Sequence, residues 1–460
     1  MQENLTTDVV VIGAGLAGLT AAYDLTRRGI AVVVVEASDR IGGRVRDVML
    51  STGGSAELGA QWVGPEHHEL RSLVHELGID LVPVSTSGLN VFVEGGTATP
   101  FAGRIPESMA TRAAILDATA TLDRLAASLK TDQAALLALD AQTAQGWLRA
   151  HVSAPVEQAL AYVVRTELCA EPSQVSAAAL LDLYSDLASD RLLRDSETDR
   201  VAGGPERIAH ALAGVLTEPV RLGQQAVFIE RRPGASAGSD VVRVHVTGSA
   251  DSQVTDFGGD FTVDARAAVL AVPSAAVTRI RWAPALPGWL DQGLQRRPMG
   301  AVIKAALEYP EPFWQSVGRS GSVILADGDV ASIIESTPDG GRGGVLHAFV
   351  VGDAVHRVSR MPVDERHRVL VAAAVSALGA AAAAPLAIHE ALWAEEPHVR
   401  GGYGPYSPPG LEELVLPVSV PGHRVFLAGS DLTTVNEGYM DGAVHSGHAA
   451  ALHVVALFTP

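Results

Sequence analysis

The sequence predicts an α/β fold in which a parallel-sheet nucleotide unit, split along the chain, carries an inserted α+β unit. Three observations lead there. Residues 8–46 run strand, glycine-rich turn, helix and strand at the spacing of one βαβ unit. A long Ala- and Leu-rich helical stretch and several alternating strand segments then intervene. Near the C-terminus, residues 424–431 again read as a strand ending in Gly and an acid, with a helix opening shortly after.

In the first unit, the strand formers Val9 to Ile12 lead into Gly13, Gly15 and Gly18, spaced G-x-G-x-x-G. A helix follows, and a second strand, Ala31 to Val35, ends at Glu36. Each part has a mechanical task in a Rossmann-type dinucleotide-binding unit. Gly13 permits the tight turn, Gly15 lets backbone approach a pyrophosphate, and Gly18 lets the helix sit close on the strand. The helix N-terminus offers free N–H groups and a positive dipole end to the phosphates. Glu36 stands where a carboxylate accepts hydrogen bonds from both ribose hydroxyls, which favours an adenosine without a 2′-phosphate.

Composition narrows the class. With 460 residues, 47% hydrophobic and 19% charged, the chain is long enough for two or three domains and for a large core. No apolar run reaches the roughly 20 residues that span a bilayer. The first strand opens close to Met1, so no secretory signal is expected. The single cysteine, Cys169, rules out an internal disulfide framework and fits a reducing cytoplasm. A net charge of −18 argues against nucleic acid and anionic membrane surfaces as partners. No metal site is expected, and a homodimer is compatible with the composition. Of 34 basic residues only Lys130 and Lys304 are lysines. Arg serves almost wherever a cation is wanted, so a retained Lys points to a need for Lys itself.

Further along, residues 104–198 read as a helical subdomain, and 201–205 (VAGGP) break it and start another helix. Strands are expected at Ala226–Glu230, Val241–Val246, Phe261–Val263 and Ala267–Val272, and alternating strands within 299–350. Residues 364–384 read as one Ala-rich helix, Ala387–Trp393 as a strand, and the last helix opens at 438–444 and runs to Leu457. No repeat of fixed period occurs. The expected division is 1–85, 200–285 and 394–460 for the nucleotide domain, with 86–199 and 286–393 for the substrate domain.

Beyond the glycine fingerprint, the segment Arg40-Ile41-Gly42-Gly43-Arg44 resembles the G-G-R stretch that follows the ribose carboxylate in FAD-dependent amine oxidases. From there the resemblance to the flavin monoamine oxidase family extends over nearly the whole chain. It implies that the dinucleotide is FAD, with Arg44 against the pyrophosphate and the turn Gly59-Ala60-Gln61-Trp62 packed on the cofactor. Residues 299–304 (MGAVIK) place Lys304 at the family's lysine, which holds a water against flavin N5. A fixed cation there stabilises charge on the reduced flavin and during its reoxidation by O2. The stretch from Trp393 to Tyr403 supplies a Trp beside the flavin and a Tyr in front of it. Some members attach the flavin through a cysteine just before that Tyr; here the residue is Gly402, so FAD is expected to be bound without a covalent link. Residues 438–442 (GYMDG) give the second aromatic, Tyr439, with Gly438 and Met440 beside it. Tyr403 and Tyr439 would flank a small-molecule amine, exclude water and favour its neutral form. Gly429-Ser430-Asp431 stands where the family has Gly-Thr-Glu, and Val227 matches a valine whose backbone pairs with adenine.

By the same resemblance Trp62, Thr166, Glu167, Glu197, Ser332, Phe349, Tyr403, Asn436 and Glu437 line the substrate cavity. Three of these are carboxylates, which implies an amine with a second polar or basic group. The expected reaction transfers a hydride from the amine α-carbon to flavin, with O2 as final acceptor and imine and H2O2 as products. An L-amino-acid oxidase of the same fold stays open, because Arg165 and Arg194 fall where a substrate carboxylate would need an Arg. A flavin-dependent isomerase or a non-catalytic FAD-binding protein is the third reading; Lys304, Tyr403 and Tyr439 argue against it.

Overall fold

The computed structural model describes residues 3–459 except 86, 104–105, 107–111, 130–131, 186–196, 235–239, 249–259, 339, 341–342 and 412–415. Lys130 and Arg194 lie outside the described residues.

Val9, Val10 and Val11 are fully buried, as a strand covered on both faces of a parallel sheet requires. Their strand, Glu3–Ile12, sits between Val32–Val35 and Phe261–Leu270 and runs parallel to both. Beyond Phe261–Leu270 the order continues through Val241–Gly248 and Gln224–Arg232 to Arg281–Ala283. Over its last residues, Ala268–Leu270, the central strand also pairs with Val425–Leu427, so the C-terminal segment enters the same sheet. The first helix, Leu16–Arg27, and the last, Met440–Phe458, pack together on one face. A Cβ at Gly447 would stand 2.5 Å from the Ala17 carbonyl oxygen, which shows how closely the two helices approach.

The second sheet orders Ala387–Leu392, Val302–Tyr309, Gly344–Val351, Ser332–Glu335, Arg319–Leu325, Leu89–Glu94 and Thr97–Phe101. Alternation decides what each of its faces does. Ile303, Ala305, Leu307 and Tyr309 join the core covered by the helix Val363–Leu378. Val302, Lys304 and Ala306 point the other way, toward Leu58, Phe349 and Trp393. A third core lies in the helical segment between Arg112 and Ser185, around Trp147, Leu148 and Leu160.

Three elements differ from the sequence expectation. The strands expected at 261–263 and 267–272 are one strand, Phe261–Leu270. Asp264 does not interrupt it, because Arg243 on the neighbouring strand pairs with its carboxylate at 2.5 Å. The Ala-rich helix ends at Leu378, where Gly379 takes φ +86° and a short 3-10 turn, Ala380–Ala383, follows. The hairpin Leu89–Glu94 with Thr97–Phe101 was not expected; it pairs antiparallel across Gly95 and Gly96, both at positive φ.

Candidate active site and cofactor cradle

The glycine turn has the expected mechanics. Gly13 sits at φ +102°, and a Cβ there would meet the Ala271 carbonyl oxygen at 2.4 Å. A Cβ on Gly18 would stand 2.0 Å from the Gly13 carbonyl oxygen. At Gly15 the nearest heavy atom would be 3.8 Å away, so this position is open where the other two are closed. Gly15 begins the first helix with no side-chain cap and no acid in the first turn, leaving the helix's first N–H groups for an anion. Glu36 accepts from the Ala14 N–H at 2.7 Å and from Ser38 Oγ at 2.8 Å, which fixes the carboxylate at the end of the second strand. Val227 falls at a register shift between Ala226 and Phe228, so its backbone is out of the ladder with the neighbouring strand. The last helix begins at Tyr439, again without a side-chain cap. Two helix starts without a side-chain cap, an open glycine, a fixed carboxylate and a bulged strand are groups that could hold a dinucleotide.

Arg44 has two partners: Asp431 at 2.6 Å and the Tyr403 carbonyl oxygen at 2.8 Å. Asp431 is thereby a buried counter-charge to Arg44, its side chain 1% exposed. Ser430 donates to it at 3.2 Å, and the Gly429 N–H donates to Ser446 Oγ at 2.9 Å. Gly438 takes φ +82° and donates to the Ser430 carbonyl, while Met440 is buried behind it. Gly59 admits no side chain, since a Cβ would lie 2.2 Å from the Arg44 carbonyl oxygen, and the Ala60 N–H donates to that same oxygen at 3.1 Å. Trp393 donates from its indole to the Leu58 carbonyl at 2.8 Å.

Lys304 is 3% exposed and directly opposite Phe349 across the strand pair. Its ammonium donates to the Gly59 carbonyl at 2.9 Å and to Gln61 Oε1. Burial pushes its pKa down to about 7, with Arg200 adding to the fall and Glu57 and Asp47 opposing it. Asp47 moves the other way, raised to about 7 chiefly by burial.

Tyr403 is 39% exposed overall, but its hydroxyl lies against buried Cys169, and desolvation there, with Cys169, Glu167 and Glu197 nearby, holds its pKa well above the usual phenol value. Glu167 is exposed and Glu197 half-buried. Arg297 pairs with Glu437 at 3.1 Å and offsets its charge. Asn436 donates to Asp441 at 2.7 Å and holds the loop before the last helix. Thr166 is back-bonded to the Tyr162 and Val163 carbonyls of its own helix at 3.1 and 3.2 Å, which leaves its hydroxyl already engaged. Ser332 faces the Tyr162 phenol, and Trp62 is cross-strand from Arg200.

Sequence reasoning missed His67, Tyr162 and the Glu57–Arg200 pair. His67 is 2% exposed, and its ring stands 4.8 Å from that of Tyr439. Its Nδ1 accepts the Gly64 N–H at 2.9 Å, so the ring is neutral with its proton on Nε2, in keeping with a pKa lowered by burial. Glu57 and Arg200 stand 3.6 Å apart beneath Lys304, joined from strands distant in sequence. None of these carries a local motif; only the adjacent histidines at 67 and 68 could have drawn attention.

Comparison with known proteins agrees with this geometry. The profile of the flavin-containing amine oxidoreductases matches residues 16–455. Putrescine oxidase of Kocuria rosea is 30% identical over 97% of this chain and 95% of its own length. A probable flavin-containing monoamine oxidase A of Dictyostelium discoideum is 28% identical over 96% and 95%. The solved structure of cyclohexylamine oxidase from Brevibacterium oxydans superposes with a TM-score of 0.87 at 28% identity, covering 98% of this chain and 99% of that one. Among the described residues no helix is long and apolar enough to cross a membrane. The chain belongs to the flavin-containing amine oxidoreductase family, as an FAD-dependent amine oxidase.

Proposed function

We propose that this enzyme oxidises small amines bearing a second polar or basic group, using Lys304, Tyr403 and Tyr439 at the reacting centre. Bound FAD supplies the hydride acceptor and passes the electrons to O2. The residues of the chain do the rest. Tyr403 and Tyr439 offer two aromatic faces that orient the amine and keep water from it, which favours the neutral form able to lose a hydride. Lys304 holds a positive or neutral nitrogen at a fixed point on the strand Val302–Tyr309. The uncapped helix starts at Gly15 and Tyr439 and the Arg44–Asp431 pair hold the cofactor, which is bound without a covalent link because Gly402 stands at the attachment position. The sheet built from 3–35, 224–283 and 419–427 carries the cofactor domain, and the sheet from 89–101 and 302–392 the substrate domain. The single cysteine suits a cytoplasmic setting.

The observation that carries the substrate class is the pair of carboxylates, Glu167 and Glu197, near the Tyr403 phenol. They favour a second cationic or hydrogen-bond-donating group on the substrate. The amino-acid oxidase reading has support in a relative, the L-amino acid dehydrogenase of Synechocystis, 28% identical over 99% of this chain. It needs an unengaged cation for the carboxylate, and Arg165 lies 4.0 Å from Glu171. The test is H2O2 release across diamines, aryl-alkyl amines and L-amino acids. Peroxide from amino acids alone would replace this proposal with the amino-acid oxidase.

A further inference from the structure

Beneath Lys304 a chain of hydrogen bonds has one fixed polarity. Arg200 donates to Ser336 Oγ at 2.8 Å and to the Ser336 and Thr337 carbonyls at 2.9 and 2.7 Å. The Ser336 hydroxyl has one proton to give, and Glu57 Oε2 takes it at 3.4 Å. Ser336 Oγ can then only accept from Gln61, and Gln61 Nε2 donates to it at 3.3 Å. This fixes the Gln61 amide with its oxygen turned to Lys304 Nζ. Gln61 is 2% exposed and Ser336 fully buried, so water does not compete for these groups.

The consequence for Lys304 follows from counting valences. Nζ donates to Gly59 O and to Gln61 Oε1, and both are acceptors only. An ammonium and a neutral amine can each make both of these bonds, the ammonium more strongly because its N–H groups are charged. They differ in kind at the remaining valence, which carries a proton in one and a lone pair in the other. Nζ makes no third hydrogen bond among the described residues, and the Phe349 ring lies 5.4 Å from it.

We propose that Gln61 is a positioning residue for Lys304, oriented by Ser336, Glu57 and Arg200 so that two N–H bonds of Nζ stay committed and its third valence alone serves the reaction. The inference rests on the amine-oxidase reading, in which Lys304 serves the flavin. It makes Lys304 a group that exchanges donor for acceptor at one fixed point as it titrates. The charged and titratable groups around it are Glu57, Asp47, Arg200, Glu197 and His347.

The test follows the bound-FAD absorbance of the holoenzyme against pH, together with the pH profile of anaerobic flavin reduction by amine. Lys304→Met should abolish the wild-type transition; its persistence would overturn the assignment. Gln61→Glu places a carboxylate against Nζ and should raise the midpoint by about one pH unit or more. Gln61→Leu removes an acceptor and should lower it. Ser336→Ala frees the Gln61 amide to turn its NH2 toward Nζ and should also lower it, which gives a reading if either Gln61 variant fails to fold. Variants that keep FAD with an unshifted midpoint overturn the proposal. Should no amine be oxidised at all, the functional reading fails while the absorbance titration still judges Gln61.

Discussion

Arg44 and Asp431, 387 positions apart in sequence, meet at 2.6 Å, and the same guanidinium donates to the backbone of Tyr403 at 2.8 Å. One side chain thus ties the first nucleotide segment to the last and to the loop that carries an aromatic of the site. Asp431→Asn keeps the shape and removes the counter-charge. Leaving Arg44 without it should destabilise the protein by roughly 1–3 kcal/mol and lower FAD occupancy. Thermal unfolding and the absorbance of purified protein check both; unchanged values would refute the linkage.

Because Gly402 stands where some relatives attach the flavin, FAD should separate from the denatured chain. Acid or heat denaturation followed by centrifugation should leave a yellow supernatant over a colourless pellet. Colour retained in the pellet would contradict this.

Lys304→Met should fold and hold FAD, since Met fills similar volume and removes a buried charge whose pKa is already down to about 7. Its stability below pH 7 should equal or exceed that of the parent. Turnover with O2 should fall by about two orders of magnitude or more, the scale seen when a placed electrostatic group is lost. Wild-type rates of reduction and reoxidation would remove Lys304 from the reaction.

Asp47 gives a prediction about pH. Its folded pKa, about 7, lies above the unfolded value of roughly 3.9. Between those values the folded state holds a proton that the unfolded state has released, so this group's contribution to stability declines as pH rises and is fully lost above 7. Asp47→Asn keeps an acceptor for the Glu206 N–H, 2.9 Å away, without the charge. The variant should therefore gain on the parent by roughly 2–3 kcal/mol between pH 5 and pH 8. Melting temperatures at the two pH values test this, and a difference that shrinks with pH would reverse the sign.

For the substrate class, kcat/KM should be higher for putrescine and a cyclic diamine than for benzylamine and phenylethylamine. Glu197→Gln and Glu167→Gln should each lower the diamine value roughly ten- to a hundredfold, the worth of one charge-assisted contact. Preference for the aryl-alkyl amines, untouched by either substitution, would leave an amine oxidase with an ordinary aromatic pocket.

The sequence by itself determined the βαβ unit, its glycine spacing, the acid Glu36 at the end of its second strand and the class of enzyme. These features are largely local: a Cβ on Gly18 would meet the Gly13 carbonyl of the same turn, and an uncapped helix start follows from the residues at that start, although the Ala271 carbonyl that closes Gly13 comes from a distant strand. Lys304 was also legible, because its type is so rare in this chain. The tertiary structure alone decided what surrounds those residues. Only the folded chain shows that Arg297, distant in sequence, pairs with Glu437. That Asp431 is also the buried partner of Arg44 was not legible in the sequence. Glu57 and Gln61 are four residues apart, but Arg200 and Ser336, which orient them, come from two segments distant in sequence and meet them only in the folded chain. Charge compensation and hydrogen-bond polarity depend on neighbours in space, and one sequence read alone carries no record of which distant residue supplies them.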